Sequence, residues 1–495
     1  MHCKDIRMVI DIREGQSMPD IASMNAVLVA ADWKVRLALK VYGGEALKLA
    51  EKAAKKGADL VLSYGGDGTL NQVLNGVMSA GGKSIVGVIP GGTANEWAGE
   101  ISIPNDHVKA ALTLVNSDAR EVDLGYVSVQ GLTFPGDIAQ SSLPQEREKK
   151  GGKKKKLSGT TKQYFLLMAG LGIDAAVIAY ASKSLKYHLG RFAFDAAAVK
   201  ELPRQKPFPI EIWASGNGSE PDAHWQGEAI QVIFANTRRY ANLIEVTPNA
   251  YLDDGLLDLC VITDPTNPLA TIGQIGSLLL RHKPDSRTSK FFRGAHLKLR
   301  VPASILMHLD GSSVELKDYL SESEQQALKQ APDLHQVMVT YQFDAVPHAL
   351  QIAIPRTYDN TLFLHSQAYA TTQQRADKGG KRSSGTREVS LQQQAGENAQ
   401  EWVAHGEKVT VIGVVAHPEK PETYIVAGSM LKQVTGDTEP IAVRIDSATA
   451  LLKRNDGHIE HVSVESVKEL KEGSEIVVKG EKNKHSVLRA TSVII

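Results

Sequence analysis

Two glycine-rich turns, each following a short apolar strand and opening a helix, constrain this chain more than any other feature. Asp59–Ser63 reads as a buried strand and runs into Tyr64-Gly65-Gly66-Asp67-Gly68-Thr69. Ser84–Ile89 reads the same way and runs into Pro90-Gly91-Gly92-Thr93-Ala94-Asn95-Glu96. Consecutive glycines let backbone N–H groups approach an anion closely, and a helix N-terminus behind them adds a positive dipole end. One such turn is often only a tight connection. Two at the C-terminal ends of neighbouring strands set two helix N-termini around one crevice, the place where open α/β sheets bind ligands. Phosphate binding is the favoured reading. Neither turn carries Gly-x-x-x-x-Gly-Lys-Ser/Thr, and no Gly-x-Gly-x-x-Gly opens a helix here, so a nucleotide phosphotransferase fits better than either familiar fingerprint.

The flanking sequence supports a mainly parallel sheet covered by helices. Ile6–Ile12 is a first strand. Glu45–Lys56 carries Ala46, Leu47, Leu49, Ala50, Ala53 and Ala54 among lysines and glutamates, and Leu70, Val73, Leu74, Val77 and Met78 mark a second helical face. After Asp123 the texture changes. Gly125–Val129, Gln163–Met168, Ile210–Ala214, Ala229–Asn236, Leu257–Thr263 and His296–Val301 are strand-like, with one helical stretch near Ala175–Leu202. Lys149–Lys156 is a low-complexity basic run, read as a solvated loop with a rival role in attracting anionic headgroups. Ser366–Gln400 is polar and nearly free of large apolar residues, a linker. From Trp402 onward, short strands separated by turn signals predict a small barrel or sandwich.

Composition removes several classes. The 495 residues balance 56 Lys plus Arg against 56 Asp plus Glu, which disfavours a globally basic nucleic-acid binder. Only two cysteines occur, Cys3 and Cys260, so neither a disulfide framework nor a Cys-rich zinc site is expected. Runs of about 18 apolar residues are missing, so any membrane contact is expected to be peripheral. The start of the chain has no signal-peptide pattern, and a reducing, cytoplasmic setting, peripheral at the inner membrane face, is the expected location. Phosphoryl transfer needs charge neutralisation and a carboxylate to take the acceptor's proton. Asp67, Glu96, Asp123, Asp253, Asp254 and Asp310 are the candidates.

At this point the residues resemble the diacylglycerol kinase catalytic family, most of all its bacterial lipid-kinase branch. Gly65-Gly66-Asp67-Gly68-Thr69-Leu70-Asn71-Gln72-Val73-Leu74-Asn75-Gly76 is similar to its glycine-rich motif, and Pro90-Gly91-Gly92-Thr93-Ala94-Asn95-Glu96 to its second signature. Glu121-Val122-Asp123-Leu124-Gly125, Phe165–Asp174, Asn236–Asp258 and Leu309-Asp310-Gly311 follow in the family's order, so the likeness spans roughly 6–356. NAD kinases share a Gly-Gly-Asp-Gly loop, but the second signature favours the lipid-kinase branch.

The resemblance implies an α/β nucleotide-binding domain plus a β-sandwich domain, followed here by a linker and a small all-β C-terminal domain. The expected division is 1–124, then 125–362 with a Lys-rich insertion at 135–162 and a return towards the first domain, then a disordered linker 363–400, then 401–495. It implies an ATP- and Mg2+-dependent lipid kinase acting on diacylglycerol, a sphingoid base or a related lipid at the membrane surface. By carry-over, Gly65, Gly66, Asp67, Gly68, Thr69, Gly92, Thr93 and Asn95 bind the nucleotide. Glu96, Asp123 and Asp254 hold metal, and Asp310 is the base. No nucleic acid partner is expected, a homodimer is left open, and the partner of the last domain is unreadable.

Four positions depart from the family pattern. Asp11-Ile12-Arg13-Glu14-Gly15 stands where the family has Asn-Pro-x-x-Gly, Lys40 where it has a threonine, Glu96 where it has an aspartate, and Ser312 where it has a glutamate. The rival reading is therefore a catalytically weak or silent lipid- or nucleotide-binding protein on the same fold.

Overall fold

The computed structural model describes residues 1, 3–11, 18–136, 162–180, 207–215, 223–240, 244–263, 289–364, 406–431, 438–455 and 458–495. The basic run Lys149–Lys156, nearly all of the expected linker and most of the helical stretch near Ala175–Leu202 lie outside the described residues.

Strands β1 (Asp5–Asp11), β2 (Lys34–Lys40), β3 (Leu60–Gly65) and β4 (Ile85–Pro90) alternate with helices α1 (Met18–Ala30), α2 (Glu45–Lys55) and α3 (Asp67–Ser79). The strands pair in parallel in the order β4-β3-β1-β2, because each helical crossover returns the chain to the same end of the sheet. All six residues of β3 are buried, as its uninterrupted apolar run requires of a strand covered on both faces. Two further helices, α4 (Glu96–Glu100) and α5 (His107–Val115), follow β4; Asp106 caps α5 by accepting from the Lys109 N–H at 2.8 Å.

A long ribbon then joins two domains. Strand β5 (Ser117–Thr133) runs antiparallel to β17 (Met338–Pro355) over nearly their whole length, and β17 also pairs with β4 at Ile352–Val86. One end of the ribbon thus extends the first sheet and the other enters the second. The pairing slips between Val346 and Leu350, where His348 adopts a φ of +48°.

The second domain holds β6 (Tyr164–Phe165), β7 (Met168–Gly172), α6 (Ile173–Tyr180), β8 (Phe208–Ser215), β9 (Ala223–Ala235) and the small hairpin β10 (Arg239–Tyr240) and β11 (Ile244–Glu245). It continues with β12 (Leu257–Thr263), β13 (Ser289–Gly294), β14 (His296–Pro302), β15 (Met307–Leu309), β16 (Ser312–Val314) and α7 (Glu322–Gln330). Its apolar core is separate from that of the first domain and centres on Phe234 stacked against Phe343 at 3.7 Å.

The last strands, β18 (Glu407–Ala416), β19 (Tyr424–Leu431), β20 (Thr438–Ile445), β21 (Ala450–Asn455), β22 (His458–His461), β23 (Glu475–Lys482) and β24 (Val487–Ile494), form a sheet that a β20–β24 pairing closes into a small barrel. The barrel is docked, not tethered. Its Val415, Ile425, Ala427, Ala442 and Val487 share one core with the first domain, against α1 and α5. Asp32, at the end of α1, accepts from Arg444 at 2.7 Å and pairs with Lys420, while Lys109 meets Glu472 at 2.8 Å.

Candidate functional site

The two glycine turns touch. The β3–β4 ladder ends at Gly65 opposite Pro90, and the Gly91 N–H donates to the Gly65 carbonyl at 2.9 Å. A Cβ on Gly92 would stand 2.4 Å from the Gly66 Cα, so only glycine permits this approach. The Asp67 carboxylate then reaches across, accepting from the Glu96 N–H at 3.0 Å and the Trp97 N–H at 3.1 Å. Helix α4 is capped by a residue of the other turn.

Side chains named as nucleotide contacts are largely spent on this scaffold. Asp67 is a cap. Asn95 has a φ of +49° and folds onto its own turn, its Oδ1 accepting from the Gly92 N–H at 2.9 Å and its Nδ2 donating to the Gly92 carbonyl at 3.0 Å. Thr69 donates through Oγ1 to Asp11 at 2.6 Å. The same Asp11 oxygen meets Lys40 at 2.7 Å, so two of the departures from the family pattern compensate each other as an ion pair. What remains for an anion is backbone: α3 begins at Gly66 with no side-chain cap, leaving its first N–H groups directed out of the turn. Thr93 is exposed on the second turn. These groups fit a polyphosphate.

Asp310 lies opposite. It sits with Gly311 in the two-residue turn between β15 and β16, with φ values of +45° and +70°. The turn leans over the first glycine loop, since a Cβ on Gly68 would come within 2.7 Å of Ser312 Oγ. The Asp310 carboxylate is buried and accepts four N–H bonds: Leu167 and Met168 on Oδ1 at 2.9 and 3.0 Å, Leu166 and the Asn71 side chain on Oδ2, both at 2.9 Å. Burial pushes this carboxyl above its ordinary range, against the pull of those four donors. Asp67 is pushed up the same way, first by burial and further by the Asp310 charge.

Sequence reasoning missed a cation here. Lys162 carries a carbonyl that accepts from Tyr319 Oη at 2.5 Å, and the next two N–H groups, Gln163 and Tyr164, donate to Asn75 Oδ1 at 2.9 and 3.0 Å. Asn71 and Asn75 both return a donor to the Tyr164 carbonyl. The segment is thereby fastened to α3, four residues apart on one helical face. Burial lowers the Lys162 ammonium to about 8, with Asp310 raising it and Lys40 lowering it further. The lysine was hidden as the last residue of the expected insertion; its position directly before the strand starting at Gln163 was the available signal.

Of the three residues named for metal, Asp123 and Asp254 are neighbours, the charge of Asp123 helping to raise the Asp254 carboxyl. Asp123 accepts from the Gly255 N–H at 2.6 Å and the His348 N–H at 2.8 Å, holding the slipped ribbon against the turn before β12. Asp254 is paired with Arg293 and accepts from the Leu256 N–H; burial pushes it up to about 6 despite the arginine. Glu96 lies elsewhere, its charge felt by buried Tyr240 and His308. Arg293 neutralises Asp254 and Asp123 holds two backbone N–H groups, so these residues are not assembled as a magnesium site. Among the described residues no group of three His, Cys, Asp or Glu side chains is placed to hold a metal ion. His308 and Asp174 form a separate buried pair at 2.9 Å behind the Asp310 turn.

Comparison with known proteins follows the same two-part division. Residues 14–127 match the model of the diacylglycerol kinase catalytic domain, and residues 168–331 match that of the YegS C-terminal NAD kinase beta sandwich-like domain. A diacylglycerol kinase of Bacillus subtilis (strain 168) is 27% identical over 271 residues, covering 54% of this chain and 76% of that protein. One from Staphylococcus aureus (strain JH9) is 29% identical over 238 residues, 48% of this chain and 62% of that protein, so the match spans less than two thirds of its length. A solved diacylglycerol kinase structure from Bacillus anthracis (strain Sterne) aligns with a TM-score of 0.47 at 17% identity, over 72% of this chain and 98% of that one. No helix among the described residues is long and apolar enough to cross a membrane. The chain thus carries, in order, the diacylglycerol kinase catalytic domain, which is the domain of a family of kinases, and the YegS C-terminal NAD kinase beta sandwich-like domain.

Proposed function

We propose that this protein is an ATP-dependent lipid kinase, transferring the γ-phosphate to a hydroxyl of diacylglycerol, a sphingoid base or a related lipid. The observation that carries the reading is the approach of the Asp310 turn to the first glycine loop, measured by Gly68 and Ser312. It sets a second-domain carboxylate against the phosphate-binding backbone of the first domain.

In this account the N–H groups at the start of α3 and the backbone of the second turn hold the phosphates, and Lys162 offsets their charge. ATP, when bound, supplies the phosphoryl group. Asp310 takes the proton of the acceptor hydroxyl. Its four donors fill the acceptor sites of a carboxylate, so one must yield to the substrate. Asn71 is the only side chain among them, the other three donors being backbone N–H groups. The chemistry asked of the protein is positioning and charge neutralisation, with no covalent intermediate. No step is assigned to magnesium, because the described residues assemble no group of three acidic, His or Cys side chains to hold it.

The second reading, a catalytically silent lipid- or nucleotide-binding protein, is favoured by the same saturation of Asp310. Calorimetry with ATP and magnesium, paired with labelled-phosphate transfer over a panel of lipids, separates the two. Binding with transfer supports the kinase; binding with no transfer to any lipid of a broad panel supports the silent protein.

A further inference from the structure

We propose that the outer edge of the first domain, formed by β2 and the turn that follows it, is a docking face for an anionic lipid bilayer. Among the described residues, strand β2 ends the sheet and pairs only with β1. Eight large apolar side chains are exposed among the described residues, and four of them fall within six positions here: Leu37 (48%), Leu39 (50%), Val41 (85%) and Tyr42 (54%). Such clustering marks an interaction surface, whereas scattered exposure does not. Leu37, Leu39 and Val41 alternate along one face of the strand. Their row leads into an open groove of about 510 Å³ between α1 and β2, walled by Ile21, Val29, Trp33 and Val35.

Charge selects the partner. Residues 34–56 hold seven Lys and Arg against two glutamates, in a chain whose charges balance overall. Both acids are committed: Glu45 accepts from the Val41 and Tyr42 N–H groups, and Glu51 pairs with Lys55 at 2.5 Å. Lys34, Lys48, Lys52 and Lys56 are exposed. Exposed apolar side chains on β2, with unneutralised lysines at Lys34 and along α2, fit the boundary between acyl chains and anionic headgroups. Arg36 and Lys40 are neutralised by Asp5 and Asp11 at 2.9 and 2.7 Å, so Lys34, Lys48, Lys52 and Lys56 carry the charge of the face.

Position connects the face to the cleft. The strands are parallel, so Val41 and Tyr42 leave β2 at the end where Gly65 leaves β3. Two strand spacings, about 10 Å, separate those ends. A bilayer held there would present lipid beside the cleft. The proposal goes beyond the kinase reading and is measured without nucleotide, so either can fail alone.

The test is sedimentation of the full chain with vesicles of phosphatidylglycerol and phosphatidylcholine, against phosphatidylcholine alone, at low and physiological salt. Mass in solution is measured by light scattering. The expected result is cosedimentation with the anionic vesicles only, weakened by salt. It should be reduced at least tenfold by Leu39→Asp with Val41→Asp, and separately by Lys48→Gln with Lys52→Gln and Lys56→Gln. Wild-type binding that both sets leave unchanged would overturn the proposal, as would no binding at all. A wild-type dimer that Val41→Asp converts to monomer would assign the face to a second copy instead.

Discussion

The carboxylate of Asp67 caps the helix that starts at Glu96, accepting from the Glu96 and Trp97 N–H groups at 3.0 and 3.1 Å. One residue of the first turn thereby fixes the position of the second. Asp67→Ala should cost about 1 kcal/mol, the usual worth of a cap, and weaken nucleotide binding because the turns lose alignment. Thermal unfolding and ATP calorimetry check both effects; a variant with unchanged affinity would mean that the cap does not shape the phosphate site.

Gly92→Ala tests the contact of the turns from the other side. Its Cβ would sit 2.4 Å from the Gly66 Cα, so the backbones must separate. The expected outcome is at least a tenfold loss of ATP affinity with the barrel still folded. Alanine at the half-buried Gly131, where a Cβ meets nothing within 4 Å, is the control and should change nothing.

Lys162→Met should lower phosphate transfer by one to two orders of magnitude without lowering the melting temperature, since removing a desolvated ammonium relieves a cost of burial. Lys162→Arg, which keeps the charge, should recover part of the rate. Steady-state kinetics on both variants decide the matter; equal loss in both would point to packing, not charge.

Asp32 gives a pH-dependent prediction for the docked barrel. Burial pushes its carboxyl up, but Lys420 and Arg444 more than offset this and hold it below the usual carboxylate range. A depressed carboxyl contributes stability above its unfolded pKa, and that contribution is lost as pH falls through the folded value. Hydrogen exchange in α1 and β20 should therefore be faster in Asp32→Asn than in wild type at pH 7. The two proteins should converge as pH falls below the ordinary carboxylate range. A constant difference down to that pH would remove Asp32 from the seam.

The sequence made the turns legible because their physics is local: buried strand, glycines, helix start. The order of family motifs likewise carried the two-domain plan, and short strands set off by turn signals carried the small barrel. Contacts between distant segments were not legible. Asp123 reads as a cleft carboxylate, yet its neighbours are the Gly255 and His348 N–H groups, brought to it by a slip in a ribbon more than two hundred residues apart in sequence. Asp254 finds Arg293 by the same kind of pairing. Lys162 was masked by the lysines before it, and the docking of the barrel through Asp32 had no local signature at all.

The central claim is tested most directly by transfer of labelled γ-phosphate from ATP to lipid, comparing wild type with Asp310→Asn. Melting temperature and ATP affinity are followed on the same samples. An amide at this position faces backbone N–H donors with one of its own, so some loss of stability is expected. The expected result is lipid labelling by the wild type, at least a hundredfold slower transfer by the variant, and ATP affinity within threefold. Full-rate transfer by Asp310→Asn, or a wild type that binds ATP yet labels no lipid, would contradict the account.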